Sequence, residues 1–317
     1  MAKIPKTRRN KTISTTISIK TIASNDIFKE IGTSVLIDLH ETTTISALLT
    51  NCESWKLNKK EKSELEQMET QSIKLLFDLP SHTPTPALIY TFGLLYTSLR
   101  VEKRQLIYLW KVANRHTEHW TLKALNQIIS KDIGWGKSIN EILTRHNLPT
   151  NLQEIKHLTR NEWSKKVDEA IEKSNKERLL EDLYKTEDGV KKRKTKTNSI
   201  VDLIEHPDYQ RKPLSEILIC SKQETKVIVT ARFCMLDCGK NFKGTQQEIC
   251  THCNAEDNED HRLNHCTKYR DINHCDDATE IDFQMIHSRN NDVLKKTITE
   301  ILKVWNLRNA NGTMNIL

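Results

Sequence analysis

Four residues within one short polar stretch constrain this chain more than any other feature. Cys250, Cys253, His261 and Cys266 are spaced C-x2-C-x7-H-x4-C in CTHCNAEDNEDHRLNHC. The stretch has almost no apolar residues of its own, so it has little to bury and needs a cross-link to fold. Thiolate and imidazole are the donors of a structural zinc site in tetrahedral Cys₃His geometry. The two-residue gap lets a tight turn aim two sulfurs at one ion, and the four-residue gap between His261 and Cys266 fits one turn of helix. Binding one structural Zn²⁺ would then be the folding energy of the segment. His265 lies four residues after His261, so a Cys₂His₂ set using His265 stays open beside the favoured Cys266. A ββα finger needs about twelve residues between its Cys and His pairs. Seven are too few, and the pattern is that of a knuckle. The plainer alternative is a group of free thiols in a reduced protein.

Charge is unevenly spread. The chain of 317 residues carries a net +7. Residues 250–282 hold nine acids and three bases, a balance of −6, and residues 283–317 hold five bases and two acids. Residues 1–249 are therefore left with +10. Two runs concentrate it: Lys3, Lys6, Arg8, Arg9, Lys11 and Lys20 with no acid among the first 20 residues, and Lys191, Lys192, Arg193, Lys194 and Lys196 in KKRKTKT. Basic runs of this kind attract phosphate and release counterions, the footprint of nucleic-acid binding, although a solvated linker has the same composition. The acidic knuckle argues against that module gripping phosphate directly.

Gly and Pro are scarce, at 8 and 7, which favours helix over a turn-rich β fold. No run of 18 apolar residues is present to span a membrane. The first 20 residues lack the apolar core of a secretory signal, so a nuclear or cytoplasmic location is expected, and the eight cysteines are expected to be reduced. The expected fold is mainly α: small helical bundles joined by linkers, with a C-terminal zinc knuckle. Residues 1–24 read as a disordered basic tail, 25–113 and 114–213 as two helical regions with a basic linker at 190–197, 214–282 as the knuckle region, and 283–317 as a C-terminal amphipathic helix. Asn58 to Glu61 forms a capping box opening a helix with Leu65, Met68, Leu75 and Leu76 on one stripe, ended by Leu79-Pro80. Leu88 to Phe92 is a short apolar helix stopped by Gly93. Leu99, Leu106, Ile107 and Trp110 make one buried helical face, as do Trp163, Val167, Ala170 and Ile171 in a helix reaching about Tyr184. Lys226 to Leu236 reads as helix or strand, and Leu294, Ile298, Ile301, Leu302 and Trp305 as a final amphipathic helix.

Several segments in order carry a family resemblance. LLTNCESWKLNKKEKSELEQMETQSIKLLFDLPSHTPTPALIYTFGLL resembles the region after the polymerase palm in non-LTR (LINE-type) retrotransposon reverse transcriptases. The matching elements are an apolar pair, the turn Cys52-Glu53-Ser54-Trp55, a helix, the loop from Leu79-Pro80 to Ala87-Leu88, and Gly93. TARFCMLDCGKNFKGTQQEICTHC resembles the run into the family's knuckle, with Arg232 and the pair Asn241-Phe242 before the first ligand and Tyr269 close after the last. The likeness covers roughly residues 36–275. It implies a thumb-like helical domain over 25–113, a helical connector over 114–213, and a nucleic-acid-binding zinc knuckle. It further implies single-stranded RNA or DNA, or an RNA–DNA hybrid, as partner, together with the rest of a reverse transcriptase, and target-primed reverse transcription as the setting. Arg232 joins Lys191, Lys192, Arg193, Lys194 and Lys196 as candidate nucleic-acid contacts.

The family's palm binds two Mg²⁺ ions through an aromatic-x-Asp-Asp hairpin. The one Asp-Asp pair here, Asp276-Asp277, follows the knuckle with no apolar strands around it, and reads as surface charge. With the palm absent, no polymerase activity is expected, and the chain looks like the C-terminal third of such an element. An interaction module that docks its acidic knuckle onto a protein partner is the rival reading. His116-Thr-Glu-His119 looks like a metal-binding pair but reads as a surface helix end. Cys234 and Cys238 read as buried thiols on one helical face, or as ligands partnering His274 and Cys275. No Gly-rich phosphate loop, nucleophile elbow or H-E-x-x-H motif is present, so no catalytic constellation emerges.

Overall fold

The computed structural model describes residues 6–23, 31–187, 190–193, 201, 204–205, 209, 211, 213–218, 220–233, 249–250, 253–256, 258, 261, 265–266 and 291–310. These are mainly helical, as the sequence leads one to expect. The helices are α1 Lys6–Ala23, α2 Thr33–Leu39, α3 Ser46–Leu48, α4 Lys59–Leu76, α5 Thr85–Phe92, α6 Thr97–Ala113, α7 Trp120–Ser130, α8 Gly134–Arg145, α9 Leu152–His157 and α10 Arg160–Leu183. After a β-hairpin follow α11 Ser215–Leu218, α12 Lys222–Arg232 and α13 Asn291–Ala310. A π turn, His40–Ile45, joins α2 to α3.

The helix boundaries are set by local chemistry. Asn58 opens α4 with a complete capping box: its side chain accepts from the Glu61 amide, and Glu61 accepts from the Asn58 amide, both at 2.9 Å. Thr159 with Glu162 and Ser221 with Glu224 do the same for α10 and α12. Gly93 ends α5 at φ 59°, a left-handed position where a Cβ would be strained. His119 caps α7, its Nδ1 accepting from the Thr121 amide at 3.2 Å, which bears out its reading as a helix end.

One core runs from α1 to α13, through Leu88, Phe92, Leu106, Leu143, Trp163, Val167, Ile171, Ile228 and Ile298. It passes through both helical regions that the sequence suggests. α6 and α10 lie at its centre, where Trp163 is buried with its indole N–H donating to the Leu106 carbonyl at 2.9 Å. Trp110 donates likewise to Leu158 and Trp135 to Glu53. Polar groups also lock the helices. Glu102 on α6 is 2% exposed and holds Lys62 of α4 at 2.9 Å, Arg145 of α8 at 3.0 Å and the His146 Nε2–H at 2.9 Å, while His146 Nδ1 meets Ser174 of α10. Burial alone would raise the Glu102 pKa, but the His146 hydrogen bond and the two cations outweigh it and hold the carboxyl at about 2. Arg178 grips Glu66 with two bonds of 2.6 Å and lies 4.1 Å over the Tyr96 ring. His40 is fully buried and its pKa is lowered to about 3, first by desolvation and then by Arg100.

Two expectations are corrected. Residues 6–23, expected to lie in a disordered tail, form α1, which packs on α4 and on residues 40–48. No apolar stripe marks it. Thr12, Thr16 and Ile19 are its buried face, and Thr15, Thr16, Ser18 and Thr21 donate their hydroxyls to carbonyls four residues earlier. The expected linker at 190–197 is partly strand. Tyr184–Glu187 and Val190–Arg193 pair antiparallel, with Tyr184 opposite Arg193 and Glu187 opposite Val190. The intervening dipeptide in the sequence is Asp188-Gly189, which two-residue hairpins favour. Lys226 to Arg232 resolves to helix. No helix among the described residues is long and apolar enough to cross a membrane.

Candidate metal centre

The four residues of the knuckle pattern converge. Cys250, Cys253, His261 and Cys266 place one donor atom each within 4.8 Å of all the others, and the group could hold a metal ion. The backbone explains how. Ile249 and Glu256 form an antiparallel bridge that folds the C-x2-C segment back on itself. The Cys250 amide donates to the Ala255 carbonyl at 2.8 Å, and the Asn254 amide to the Cys250 carbonyl at 2.9 Å. Asn254 sits at φ 60°, a conformation that Asn tolerates better than most residues. On the second arm, the Asn258 side chain accepts from the His261 amide at 2.7 Å, starting the turn. The Cys266 amide reaches back five residues to the His261 carbonyl at 2.7 Å. That is a π-type turn, one residue wider than the α turn that the spacing suggests.

Cys250 Sγ and Cys266 Sγ lie 3.8 Å apart, and Cys253 Sγ lies 3.1 Å from His261 Nε2. In a tetrahedron with zinc–sulfur bonds of about 2.3 Å, the sulfur–sulfur edge is about 3.8 Å. The Cys250–Cys266 edge has that length. Cys250, His261 and Cys266 are buried and Cys253 is half-buried, so the donors face inward, away from water. Three thiols and one imidazole form a borderline-soft donor set compatible with Zn²⁺ and unsuited to Mg²⁺ or Ca²⁺, which want oxygen. Four protein donors fill a tetrahedron, as in structural sites. His265 is exposed and outside the cluster, so the geometry selects Cys266 as the fourth ligand.

Sequence reasoning found the four donors but missed Asn254 and Asn258, which shape the two turns. The signal was present, because Asn tolerates left-handed backbone and caps helical turns. Lys191, Lys192 and Arg193 lie on the second strand of the hairpin, and Lys194 and Lys196 lie outside the described residues. Arg232 is not at the surface. It is 5% exposed at the end of α12, between the buried Ala231 and Phe233, and a phosphate contact needs the guanidinium in reach of solvent. Cys234, Cys238, Asn241, Phe242, Tyr269, His274, Cys275, Asp276 and Asp277 also lie outside the described residues. No protein-family model matches the chain, and no curated protein or solved structure matches it significantly.

Proposed function

We propose that this chain is a nucleic-acid-binding, zinc-containing fragment of a reverse transcriptase of the non-LTR type, without polymerase activity of its own. The observation that carries its metal-binding part is the convergence of Cys250, Cys253, His261 and Cys266 into one donor set, and its nucleic-acid part rests on the +10 balance of residues 1–249. The ordered resemblance of residues 36–275 supplies the family. In this reading Zn²⁺ is structural, one per chain, and ties two polar turns into a rigid knuckle. The phosphate backbone is gripped elsewhere, by Lys191, Lys192, Arg193, Lys194 and Lys196, because the knuckle segment is acidic. Arg232 is left out because it is buried.

A salt titration of binding to single-stranded RNA or DNA, followed by fluorescence anisotropy, tests the reading. Each neutralised phosphate releases condensed counterion, so log affinity should fall with log salt by about 0.7 per contact. Changing Lys191, Lys192, Arg193 and Lys194 to Ala should flatten that slope by roughly two to three while zinc content stays constant. No binding at about 50 mM salt, or binding without salt dependence, overturns the reading. The −6 balance of residues 250–282 would then favour the rival, a zinc-dependent protein-interaction module with an acidic docking surface.

A further inference from the structure

Helix α6 carries a feature that the knuckle reading does not use. Arg100, Lys103, Arg104, Tyr108 and Lys111 recur at i, i+3, i+4, i+8 and i+11, along one face of the helix. The fold turns that face into a wall. With residues of the α2–α3 segment, Glu53, the start of α10 and Arg211, it lines an open groove of about 530 Å³. Six bases border it: Arg100, Lys103, Arg104, Lys111, Arg160 and Arg211.

Three of these bases are committed to the fold. Arg100 is held by Glu41 and Glu69, Lys103 by Asp168 at 2.7 Å, and Arg211 by Glu172 and the Gly93 carbonyl. The other three have no ion pair among the described residues. Arg104 spends one N–H on the uncharged Leu49 carbonyl at 3.0 Å, while Lys111 and Arg160 are exposed. Of the two acids on the lining, Glu41 is neutralised by Arg100, leaving Glu53 against three uncompensated cations. Tyr108 stands at the same groove with 36% of its surface exposed, braced edge-on by Trp135 at 6.1 Å. A braced, exposed aromatic ring beside unpaired cations in a concave track is what a base and its phosphates need together, stacking for one and charge for the other. An acidic peptide would use the cations but not the ring.

We propose that the groove along α6 is a binding track for single-stranded nucleic acid, with Arg104, Lys111 and Arg160 contacting phosphates and Tyr108 stacking a base. The inference deepens the nucleic-acid reading and rests on it, but places the contact on the helical body, apart from the Lys191–Lys196 run.

The test is anisotropy of the full zinc-loaded chain with a labelled single-stranded oligonucleotide of roughly 12 nucleotides, a length within the range that one such site covers. The Lys111→Ala, Arg160→Ala double variant changes two exposed side chains outside the core. It should weaken binding at least tenfold and reduce the salt slope by about 1.4, two contacts' worth. Tyr108→Ala should weaken binding about tenfold and leave the slope nearly unchanged, because stacking releases no counterions. Unaltered far-ultraviolet circular dichroism would show that both variants fold. If wild type binds and the double variant binds equally well with an equal slope, the groove is overturned and the nucleic-acid reading survives through the basic run. If Tyr108→Ala binds as wild type does, or if duplex of the same length binds more tightly than the single strand, the single-strand assignment is overturned. If wild type binds nothing, both readings fall together.

Discussion

The helical body and the knuckle solve the problem of staying folded by opposite means. The body buries a continuous apolar core around Trp163, Leu106 and Val167, and each large side chain removed from water contributes about 1.5–3 kcal/mol. Among the described residues, the hydrophobic cluster of the knuckle consists of Cys250 and Cys266 with Cys253 against them, three of the four candidate ligands. Without an ion it has two turns, a handful of backbone hydrogen bonds and a surplus of negative charge. Burial can therefore hold the body without a metal, whereas the knuckle is expected to need the ion that its cluster could hold. The chain is stable in two places for unrelated reasons, and each can be broken without the other.

The largest expected effect is on the knuckle. Elemental analysis of the purified chain should give one zinc, and the Cys250→Ser, Cys253→Ser double variant should give none, because losing half of the ligands abolishes a structural site. The urea midpoint of the helical body should be unchanged in that variant. Zinc retained at full occupancy would show that the four residues are not the ligands.

A smaller effect, confined to the body, is expected from Trp163→Ala. The side chain is 1% exposed and satisfies the Leu106 carbonyl. Its loss leaves a cavity and removes a second hydrogen bond to a helical carbonyl, costing about 3–5 kcal/mol in urea unfolding with zinc content intact. A cost below about 1 kcal/mol would mean that α6 and α10 do not pack as described.

The third effect appears only in acid. Glu102 has its folded pKa lowered from 4.5 to about 2, so the ionised form is stabilised by folding. Its contribution is fully present above about pH 4.5 and is lost as pH falls through about 2; the shift corresponds to on the order of 3 kcal/mol. His40, lowered from 6.5 to about 3, adds loss in the same direction over its own window, since the unfolded chain takes up that proton first. Glu102→Gln should lower stability at neutral pH and flatten the decline between about pH 4.5 and 2, read from urea midpoints across pH. A variant that declines as steeply as wild type would remove Glu102 from the account.

What was legible in the sequence was local or covalently spaced. The Asn58 capping box, the Gly93 stop and the Trp163 face depend on residues within a few positions of one another, and each stands where its spacing puts it. The four metal donors were legible because their spacing is itself a geometric instruction. What escaped depends on partners distant in sequence. α1 has no apolar stripe, and its helix packs through Thr12, Thr16 and Ile19 against α4. Arg232 reads as a surface cation until α12 is seen inside the core. The groove along α6 escaped as well, because it needs Arg160 from α10 and Arg211 from beyond the hairpin. Asp188-Gly189 was a readable hairpin signal overshadowed by the charge run beside it.

The independence of the two regions is most directly measured by amide hydrogen exchange on the full chain before and after zinc chelation. Chelation should expose the amides of Cys250, Asn254, His261 and Cys266, whose hydrogen bonds shape the knuckle, to exchange at unstructured rates. The amides of α6 and α10 should keep their protection unchanged. Knuckle amides that stay protected without metal, or a helical body that loses protection along with them, would contradict the account.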